Sequence, residues 1–241
     1  MINKDIFGEA IKDFYNKKYS EDIIVQAPDF DDDIIPIPYL FRTYLEMPKI
    51  EQKALDLAFG DVLDVGSGAG SHSLFLQENR KLNVQAIDIS EGAIEICKKR
   101  GITNASVQDI FDLKEVQYDT LLFLMNGSGI IGKLANIDAF FSKIKNLIKP
   151  NGQILIDSSD ISYLFTEDDG SFWVDASAGY YGEMQYQLKY KKLQSDWFDW
   201  LYIDYNTLQN AANTNGFLCE LLLEGENHDY LAKLTKVSDT L

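Results

Sequence analysis

Residues 62 to 70 read VLDVGSGAG, in which a short apolar run leads directly into three glycines spaced two apart. Glycine adopts positive φ values at no steric cost, and it lets another group approach the backbone closely. Gly66, Gly68 and Gly70 therefore predict a tight strand-to-helix turn with a ligand bound against it. A plain turn is the disfavoured alternative, because each glycine loses extra chain entropy on folding.

The segments around this turn alternate between strand and helix patterns. Residues 71–80 and 137–148 have helical spacing, and five apolar runs indicate strands. These runs are DVLDV (61–65), LNVQAID (82–88), ASVQD (105–109), YDTLLFLM (118–125) and QILIDSS (153–159). Such alternation predicts an α/β fold with a doubly wound, mostly parallel sheet. Two further strand patterns, at 217–225 and 229–237, are joined by a short loop and predict an antiparallel pair at the sheet edge.

The flanks of the alternating region have different patterns. Residues 1–20 have helical spacing, whereas PDFDDDIIPIP (28–38) contains prolines and four aspartates, so we interpret it as an acidic surface loop. It lacks the glycine and glutamate of a calcium-binding loop. The aromatic-rich stretch 159–204 contains two antiparallel strand patterns, MQYQLKYKK and DWLYIDY. We therefore expect one domain over residues 1–241, with a helical N-terminal cover (1–60), a ligand-binding core (61–158 and 205–241) and an inserted lid (159–204).

The composition limits the partners and the location. The 241-residue chain has a formal net charge of −16, which repels a polyanion, so we expect no nucleic-acid partner. No apolar run approaches the roughly 20 residues of a membrane span, and the N-terminus does not resemble a signal peptide. Cys97 and Cys219 have no neighbours at metal-ligand spacing. We expect reduced thiols, no metal site, no membrane association and a cytoplasmic location.

Two ligand classes compete for the glycine turn. A dinucleotide prefers G-x-G-x-x-G, but here the third glycine comes one residue early and Ser71 holds the last position. Asp88, at the end of the second strand, can accept both hydroxyls of a ribose in either class. Asp109, at the end of the third strand, can accept from an adenine amino group, with Ile89 and Ile110 against the two faces of the ring.

A carboxylate inside the first strand favours one of these classes. Asp64 is expected to be buried just below the turn, where a carboxylate is costly unless a cationic or hydrogen-bonding group uses it. A sulfonium ligand with an amino-acid tail offers both kinds of group. A pyrophosphate would be repelled by the same carboxylate. The residues around the turn therefore favour a sulfonium-bearing nucleoside over a dinucleotide.

The ordered motifs VLDVGSGAG, AIDIS, VQDIFDL and YDTLLFLMNGSG resemble those of the class I S-adenosylmethionine-dependent methyltransferases. The resemblance implies a Rossmann-like, doubly wound sheet of seven strands, mostly parallel with one antiparallel strand near the edge. The residue patterns add an N-terminal helical extension and an inserted antiparallel hairpin. The resemblance also implies S-adenosylmethionine as cofactor and methyl transfer by in-line displacement. Carried over residue by residue, the implied cofactor-binding positions are Asp64, Gly66, Ser67, Gly68, Gly70, His72, Asp88, Ile89, Asp109, Ile110 and Met125.

No motif gives the acceptor. The fourth strand ends in MNGSGI and lacks the N/D-P-P-Y signature of amino-methylating enzymes. We expect a small molecule, neutral or cationic, bound by a monomer or a homodimer. The candidate catalytic residues are Asn126, placed beside the donor methyl by the resemblance, and His228, in a loop on the ligand side. The candidate substrate residues are Tyr39, Arg42, Trp173, Tyr180 and Tyr181.

Several assignments stay open at the level of sequence. Arg42 could bind the cofactor carboxylate, bind an acidic acceptor or pair with an acid of the protein. His72 could cap the first helix after the turn, contact the cofactor or act as a base. The aromatic lid could equally be a hairpin with a small core of its own. Two other functions also remain, a nicotinamide-dependent oxidoreductase and a protein that binds S-adenosylmethionine without turnover.

Overall fold

A computed structural model describes residues 5–114, 116–166 and 179–237 of the chain. Within these ranges the strands are β1 (Ile23–Ala27), β2 (Phe30–Ile35), β3 (Asp61–Val65), β4 (Asn83–Asp88), β5 (Ala105–Val107), β6 (Tyr118–Phe123), β7 (Ile148–Ser159), β8 (Glu183–Tyr190), β9 (Leu193–Gln194), β10 (Phe198–Leu201), β11 (Phe217–Glu224) and β12 (Asp229–Lys236). The α-helices are α1 (Ile6–Tyr15), α2 (Lys49–Leu57), α3 (Ser71–Glu78), α4 (Glu91–Lys99), α5 (Ile137–Leu147) and α6 (Tyr205–Thr214). Short 3-10 helices include Ile37–Phe41, Ile110–Asp112 and Gly127–Ile131.

Seven strands form the main sheet, in the order β11-β12-β7-β6-β3-β4-β5. Strands β3 to β7 run parallel, and β12 runs antiparallel to both of its neighbours, β7 and β11. The prediction of a mostly parallel sheet with one reversed strand near its edge is confirmed. Strand β6 is buried along nearly its whole length, as its continuous apolar sequence indicates. The carboxyl ends of the parallel strands meet at one edge of the sheet, here called the ligand edge.

Capping residues set where the helices beside the ligand edge begin. Ser90 caps α4, because its side chain accepts a hydrogen bond from the backbone N–H of Ala93 at 2.9 Å, as the sequence predicts. Asp204 caps α6 by accepting from the backbone N–H of Thr207 at 3.0 Å. Ser90 follows shortly after the end of β4, and Asp204 follows shortly after the end of β10. Each cap therefore fixes the start of its helix relative to the strand before it.

A second sheet, here called the small sheet, joins the N-terminal segment to the inserted segment. Its order is β10-β8-β1-β2, with β9 also paired to β8. Strands β8 and β10 pair antiparallel, which confirms the predicted pair of insert strands. On its other side β8 pairs with β1, so that Ile24 lies opposite Lys189. Two segments that are far apart in the sequence thus share one sheet.

The N-terminal cover contains the expected helices, but the stretch expected to form an acidic loop is part of a hairpin. The extension contains α1, the 3-10 helix Ile37–Phe41 and α2, but residues 23–35 form the hairpin β1-β2. The predicted acidic loop is largely strand β2, in which Asp31, Asp32 and Asp33 are exposed. An edge strand tolerates such charges because one of its sides has no partner strand, and the charges discourage pairing with another chain.

Among the described residues, four apolar clusters hold these elements together, and three of them position the ligand edge and its surroundings. One lies between the main sheet and helices α5 and α6, and includes Phe140. A second lies on the opposite face, beneath α2 and α3, and includes Leu155. The third joins α1, the small sheet and α4 to Ala69 of the glycine turn. Because of this third cluster, the N-terminal and inserted segments pack beside the turn.

Both cysteines are free thiols, as predicted. Cys97 is buried in α4, and burial raises its pKa to about 12. Within the described ranges no helix has both the length and the apolar character needed to cross a membrane. Over the same ranges no group of three or more His, Cys, Asp and Glu side chains is arranged to hold a metal ion.

Candidate active site

The glycine turn lies at the ligand edge, between β3 and α3. Gly66, Gly68 and Gly70 have φ values of 71°, 53° and 83°. A Cβ atom at position 70 would collide with Ile102 and Cys97, so packing requires this glycine. A Cβ atom at position 68 would meet nothing within 4 Å. Gly68 therefore presents bare, left-handed backbone to open space, which is the arrangement that a closely approaching ligand requires.

Asp88 holds this turn from the end of β4. Its Oδ2 accepts from the backbone N–H of Gly68 at 2.9 Å, and its Oδ1 accepts from the backbone N–H of Ser90 at 2.8 Å. Burial raises the pKa of Asp88, and these two N–H groups offset part of the increase. Each carboxylate oxygen keeps a second lone pair for a ligand hydroxyl. The next side chain, Ile89, is 73% exposed, so an apolar surface lies open beside the carboxylate.

Asp109 and Ile110 follow strand β5 at the same edge. Asp109 is exposed, and its Oδ1 accepts from the backbone N–H of Phe111 at 2.9 Å, which begins the short helix Ile110–Asp112. Ile110 differs from the expectation of an open ring contact, since it is 3% exposed and packs in the same cluster as Ile87. The short helix turns this side chain inward. Of the two isoleucines predicted to contact the adenine ring, Ile89 is therefore the one with an exposed side chain.

Asp64 and Ser67 lie beneath the turn. Asp64 is 2% exposed and accepts from the hydroxyl of Ser73 at 2.5 Å. Burial raises the pKa of Asp64, and the charge of His72 and the bond from Ser73 oppose the increase. Ser67 is also buried, with its Oγ 3.8 Å from the sulfur of Cys97. The expected buried carboxylate is present, and it has a partner inside the protein.

A buried ion cluster joins the N-terminal segment to the start of α3. It consists of Arg42, Glu51 of α2 and His72 of α3. Oε2 of Glu51 accepts from Arg42 and lies 2.6 Å from Nε2 of His72. Burial raises the pKa of Glu51, but the bonds and charges of His72 and Arg42 outweigh it and keep this pKa below its usual value. His72 therefore binds Glu51 instead of capping α3, whose N-cap residue is Gly70.

The backbone turns sharply at the ligand edge after β6. Met125 and Asn126 have φ values of 66° and 55°, which are uncommon for residues with side chains. Asp157, in β7, holds this turn, because its carboxylate accepts from the backbone N–H of Met125 at 3.0 Å and of Gly127 at 2.9 Å. Oδ1 of Asn126 accepts from the hydroxyl of Ser159 at 2.8 Å. Since β6 pairs with β3, this turn lies next to the glycine turn.

A family model described as a methyltransferase domain matches residues 60–218, more than half of the chain. The chain belongs to this methyltransferase family. It is also 47% identical to an S-adenosylmethionine-dependent methyltransferase from Bacteroides fragilis, solved in complex with S-adenosylhomocysteine. That match has a TM-score of 0.91 and covers 98% of this chain and 97% of the other. A comparison with curated proteins gave no match.

Two more distant solved structures share the fold of this methyltransferase. A sugar N-methyltransferase from Streptoalloteichus is 14% identical, with a TM-score of 0.59 over 88% of this chain and 98% of the other. An amino pentose methyltransferase from Micromonospora echinaspora is 12% identical, with a TM-score of 0.57 over 86% of this chain and 100% of the other. These two matches show the fold alone. The resemblance drawn from the four sequence motifs is confirmed by the family match and by the Bacteroides fragilis enzyme.

His228, which the sequence analysis gives as a candidate catalytic residue, lies at the far end of the ligand edge of this methyltransferase. His228 is exposed, with a φ of 58°, and its ring stacks on Tyr163 with centroids 4.8 Å apart. Its backbone oxygen accepts from the N–H of Asp160 at 2.9 Å. Tyr181 donates to Oδ1 of Asp160 at 2.8 Å. The loop of His228 and the ring of Tyr181 therefore meet around Asp160.

The other predicted substrate residues of the methyltransferase differ in their surroundings. Tyr180 donates to Oδ2 of Asp204 at 2.7 Å and accepts from its N–H at 2.9 Å, so it anchors the insert to the start of α6. Arg42 belongs to the buried ion cluster, with its guanidinium carbon 3.9 Å from the centre of the Tyr39 ring. Tyr39 is 39% exposed. Trp173 lies outside the described residues.

Asp157 and Glu51 lie at the site but were not predicted from the sequence. Asp157 is 7% exposed; burial raises its pKa to about 7, although the N–H groups of Gly127 and Met125 oppose the increase. The available signal was an acid at the carboxyl end of an otherwise apolar strand, QILIDSS. A carboxyl group with this pKa beside a ligand edge is suited to holding or releasing a proton there.

The ligand-free methyltransferase should lose stability as the pH rises towards the pKa of Asp157. This pKa is about 7 in the folded state and about 3.9 in an unfolded chain. Between these two pH values the folded state binds one more proton than the unfolded state, so the contribution of Asp157 to the free energy of unfolding decreases as the pH rises. The free energy of unfolding of the wild type, relative to Asp157→Asn, should fall by about 2 kcal/mol from about pH 5.5 to about pH 7. Urea titrations of both proteins test this, and a difference that does not vary with pH would contradict it.

Proposed function

We propose that this methyltransferase transfers a methyl group from S-adenosylmethionine to a small-molecule acceptor at the ligand edge. The observation that carries the proposal is the open backbone of Gly68 beside Asp88 and the exposed Ile89. A nucleoside with an amino-acid tail fits these three features, because it brings hydroxyl donors, an apolar ring and a group that approaches the backbone. The S-adenosylhomocysteine bound to the Bacteroides fragilis relative supports the same cofactor.

The parts of the cofactor are assigned along the ligand edge. Asp88 would hold the ribose and Asp109 the adenine amino group, with Ile89 on one side of the ring and Ile110 supporting it from the core. The amino-acid part and the donor methyl would lie against Asp64, Gly66, Ser67, Gly68, Gly70, His72 and Met125. This assignment follows the order of the strands, since adjacent carboxyl ends face adjacent parts of one ligand.

The residues of the chain contribute mainly by positioning. When bound, the cofactor supplies a methyl carbon already activated by a sulfonium, so orientation of the acceptor provides much of the rate. Asp157 fixes the Met125–Asn126 turn, and Ser159 fixes the amide of Asn126, which can then orient the acceptor. His228 is the predicted base, and Asp157 is a second group able to hold the proton released by an amine or a hydroxyl.

A small neutral or cationic acceptor fits the charge of this edge. Asp157, Asp160 and Asp229 lie at the ends of β7 and β12, in a chain with a net charge of −16. The rings of Tyr163 and Tyr181 lie beside them and offer faces for a cation. The same charge disfavours a nucleic-acid acceptor.

The organisation of the chain is part of the proposal. Residues 61–158 and 205–241 would form the cofactor-binding core, residues 1–60 its cover and residues 159–204 a lid over the acceptor. All belong to one domain over residues 1–241, acting as a monomer or a homodimer. The two free thiols suit a cytoplasmic location, where thiols stay reduced.

Calorimetric titration with S-adenosylhomocysteine tests the proposed function, with NADH as the matched control. We expect S-adenosylhomocysteine to bind in the micromolar range and NADH not to bind. Binding of NADH in its place would contradict the proposal and favour an oxidoreductase. If neither S-adenosylhomocysteine nor NADH binds, the assignment of a cofactor to the glycine turn is wrong.

A further inference from the structure

Arg42 has a buried N–H group with no partner. Among the described residues, Nε of Arg42 is the buried side-chain nitrogen or oxygen atom that makes no hydrogen bond. The residue is 6% exposed, so solvent does not supply the missing acceptor. An unsatisfied charged donor is costly inside a protein, and it therefore points to an acceptor that completes the site.

The rest of the guanidinium is already fixed. Nη1 donates to the backbone oxygen of Tyr39 at 2.7 Å, and Nη2 donates to Glu51. The group also lies over the ring of Tyr39. Nη1 and Nη2 each have an acceptor, and Nε is the nitrogen of this permanently charged group that makes no hydrogen bond. Such a group is pre-organised to bind a carboxylate.

Arg42 lies next to the glycine turn. Two residues before it, the backbone oxygen of Leu40 accepts from the hydroxyl of Ser71, the first residue of α3, at 2.8 Å. Through Glu51, Arg42 is also linked to His72, the second residue of α3. The free N–H therefore belongs to the segment that rests on the part of the turn assigned to the amino-acid tail.

The charges around Arg42 favour a zwitterion over a simple anion. Glu51, Asp64 and Asp157 are buried carboxyl groups on the side of the main sheet that faces α2 and α3. Of the three, Glu51 has a pKa below its usual value, so its ionised carboxylate would repel a ligand with only negative charge. An α-amino acid group brings a carboxylate for Arg42 together with an ammonium that offsets the surrounding acids.

We propose that Arg42 binds the α-carboxylate of the cofactor's methionine part through its Nε–H. The inference rests on the proposed function and names the residue that recognises the amino-acid tail. It selects one of the three roles that the sequence leaves open for Arg42. If so, the segment 37–42 contacts the cofactor directly as well as covering its site.

A ligand without the carboxylate tests this contact. A decarboxylated analogue of S-adenosylhomocysteine keeps the adenosine, the thioether and the amine. Calorimetry should show that the wild type binds this analogue roughly 10- to 100-fold more weakly than S-adenosylhomocysteine, as expected for loss of a charge-assisted hydrogen bond. Equal affinity for the two ligands would overturn the proposal. Failure to bind either ligand would overturn the proposed function itself, which is a distinguishable result.

Two arginine variants separate the contact from a structural role. Arg42→Lys keeps a positive charge near Glu51 but removes the Nε–H, so it should weaken S-adenosylhomocysteine binding about 10-fold and leave binding of the analogue nearly unchanged. Equal losses for both ligands would mean that Arg42 acts only through the fold, and would overturn the contact. Arg80→Lys is the matched control, because Arg80 donates to the backbone oxygens of Leu55, Asp56 and Ala58, and both affinities should stay at their wild-type values.

A measurement on the unaltered protein covers the case in which Arg42→Lys does not fold. The chain has three arginines, Arg42, Arg80 and Arg100, so a nitrogen–proton correlation spectrum contains three Nε–H signals. Arg80→Lys and Arg100→Lys assign them by elimination. S-adenosylhomocysteine should shift the Arg42 signal and slow its exchange with water, and the decarboxylated analogue should do neither. The same response to both ligands would overturn the proposal.

Discussion

Replacing Asp88 by alanine should lower the affinity for S-adenosylhomocysteine by at least about 100-fold. The Asp88 carboxylate is the proposed acceptor for two ribose hydroxyls, and a hydrogen bond to a charged group contributes roughly 1.5–3 kcal/mol. The loss of both corresponds to about 3–6 kcal/mol, which is more than 100-fold in Kd. Calorimetric titration of Asp88→Ala against the wild type measures the change.

Asp88 also holds the glycine turn, so its variant needs two controls. Ser90→Ala removes the cap of α4 but keeps the carboxylate, and should cost about 1 kcal/mol of stability with the affinity unchanged. Asp112→Ala removes a nearby exposed acid and should change neither quantity. If Asp88→Ala bound within about threefold of the wild type, the ribose assignment would be wrong.

Replacing Glu51 by alanine should lower the free energy of unfolding by about 3–5 kcal/mol, the range for breaking a buried ion pair on one side. Glu51 is 4% exposed and binds both Arg42 and His72. Its removal leaves the guanidinium buried without a counter-charge. Urea unfolding of the ligand-free proteins near neutral pH measures the loss.

The surface pair Glu95–Lys99 provides the contrast for Glu51. Nζ of Lys99 lies 2.6 Å from Oε1 of Glu95, but both side chains are close to half exposed. Solvent therefore screens the charges, and Glu95→Ala should have the stability of the wild type. A Glu51→Ala protein as stable as Glu95→Ala would show that the buried ion cluster does not hold the N-terminal segment to α3.

Features that depend on a continuous stretch of residues were predictable from the sequence. The glycine turn, the ribose acid Asp88 at a strand end and the cap Ser90 each depend on a few neighbouring positions. The reversed strand β12 was predictable because the loop before it is too short for a parallel crossover. The order of the motifs then specified the family, which the comparisons confirm.

Features that depend on distant partners were not predictable in this way. Strand β1 begins with the β-branched run Ile23–Val25, but no local pattern shows that it pairs with β8, which lies far along the chain. In the sequence, Glu51 has the pattern of an exposed acid on an amphipathic helix, and only the fold brings it into contact with Arg42 and His72. Asp157 lies in a predicted strand, but its role depends on two backbone N–H groups in the turn after β6, which only the fold brings to it.

The pairing of β1 with β8 also constrains when the small sheet can form during synthesis of the chain. The ribosome releases β1 early, but the partner strand Glu183–Tyr190 is translated only after β3 to β7. Until then the β1-β2 hairpin stands alone, and an isolated two-stranded hairpin is marginally stable in water. A nascent chain stalled before residue 183 would therefore carry an unpaired strand edge open to aggregation. The surface beside the glycine turn is therefore completed only after β3 to β7 of the main sheet have been translated.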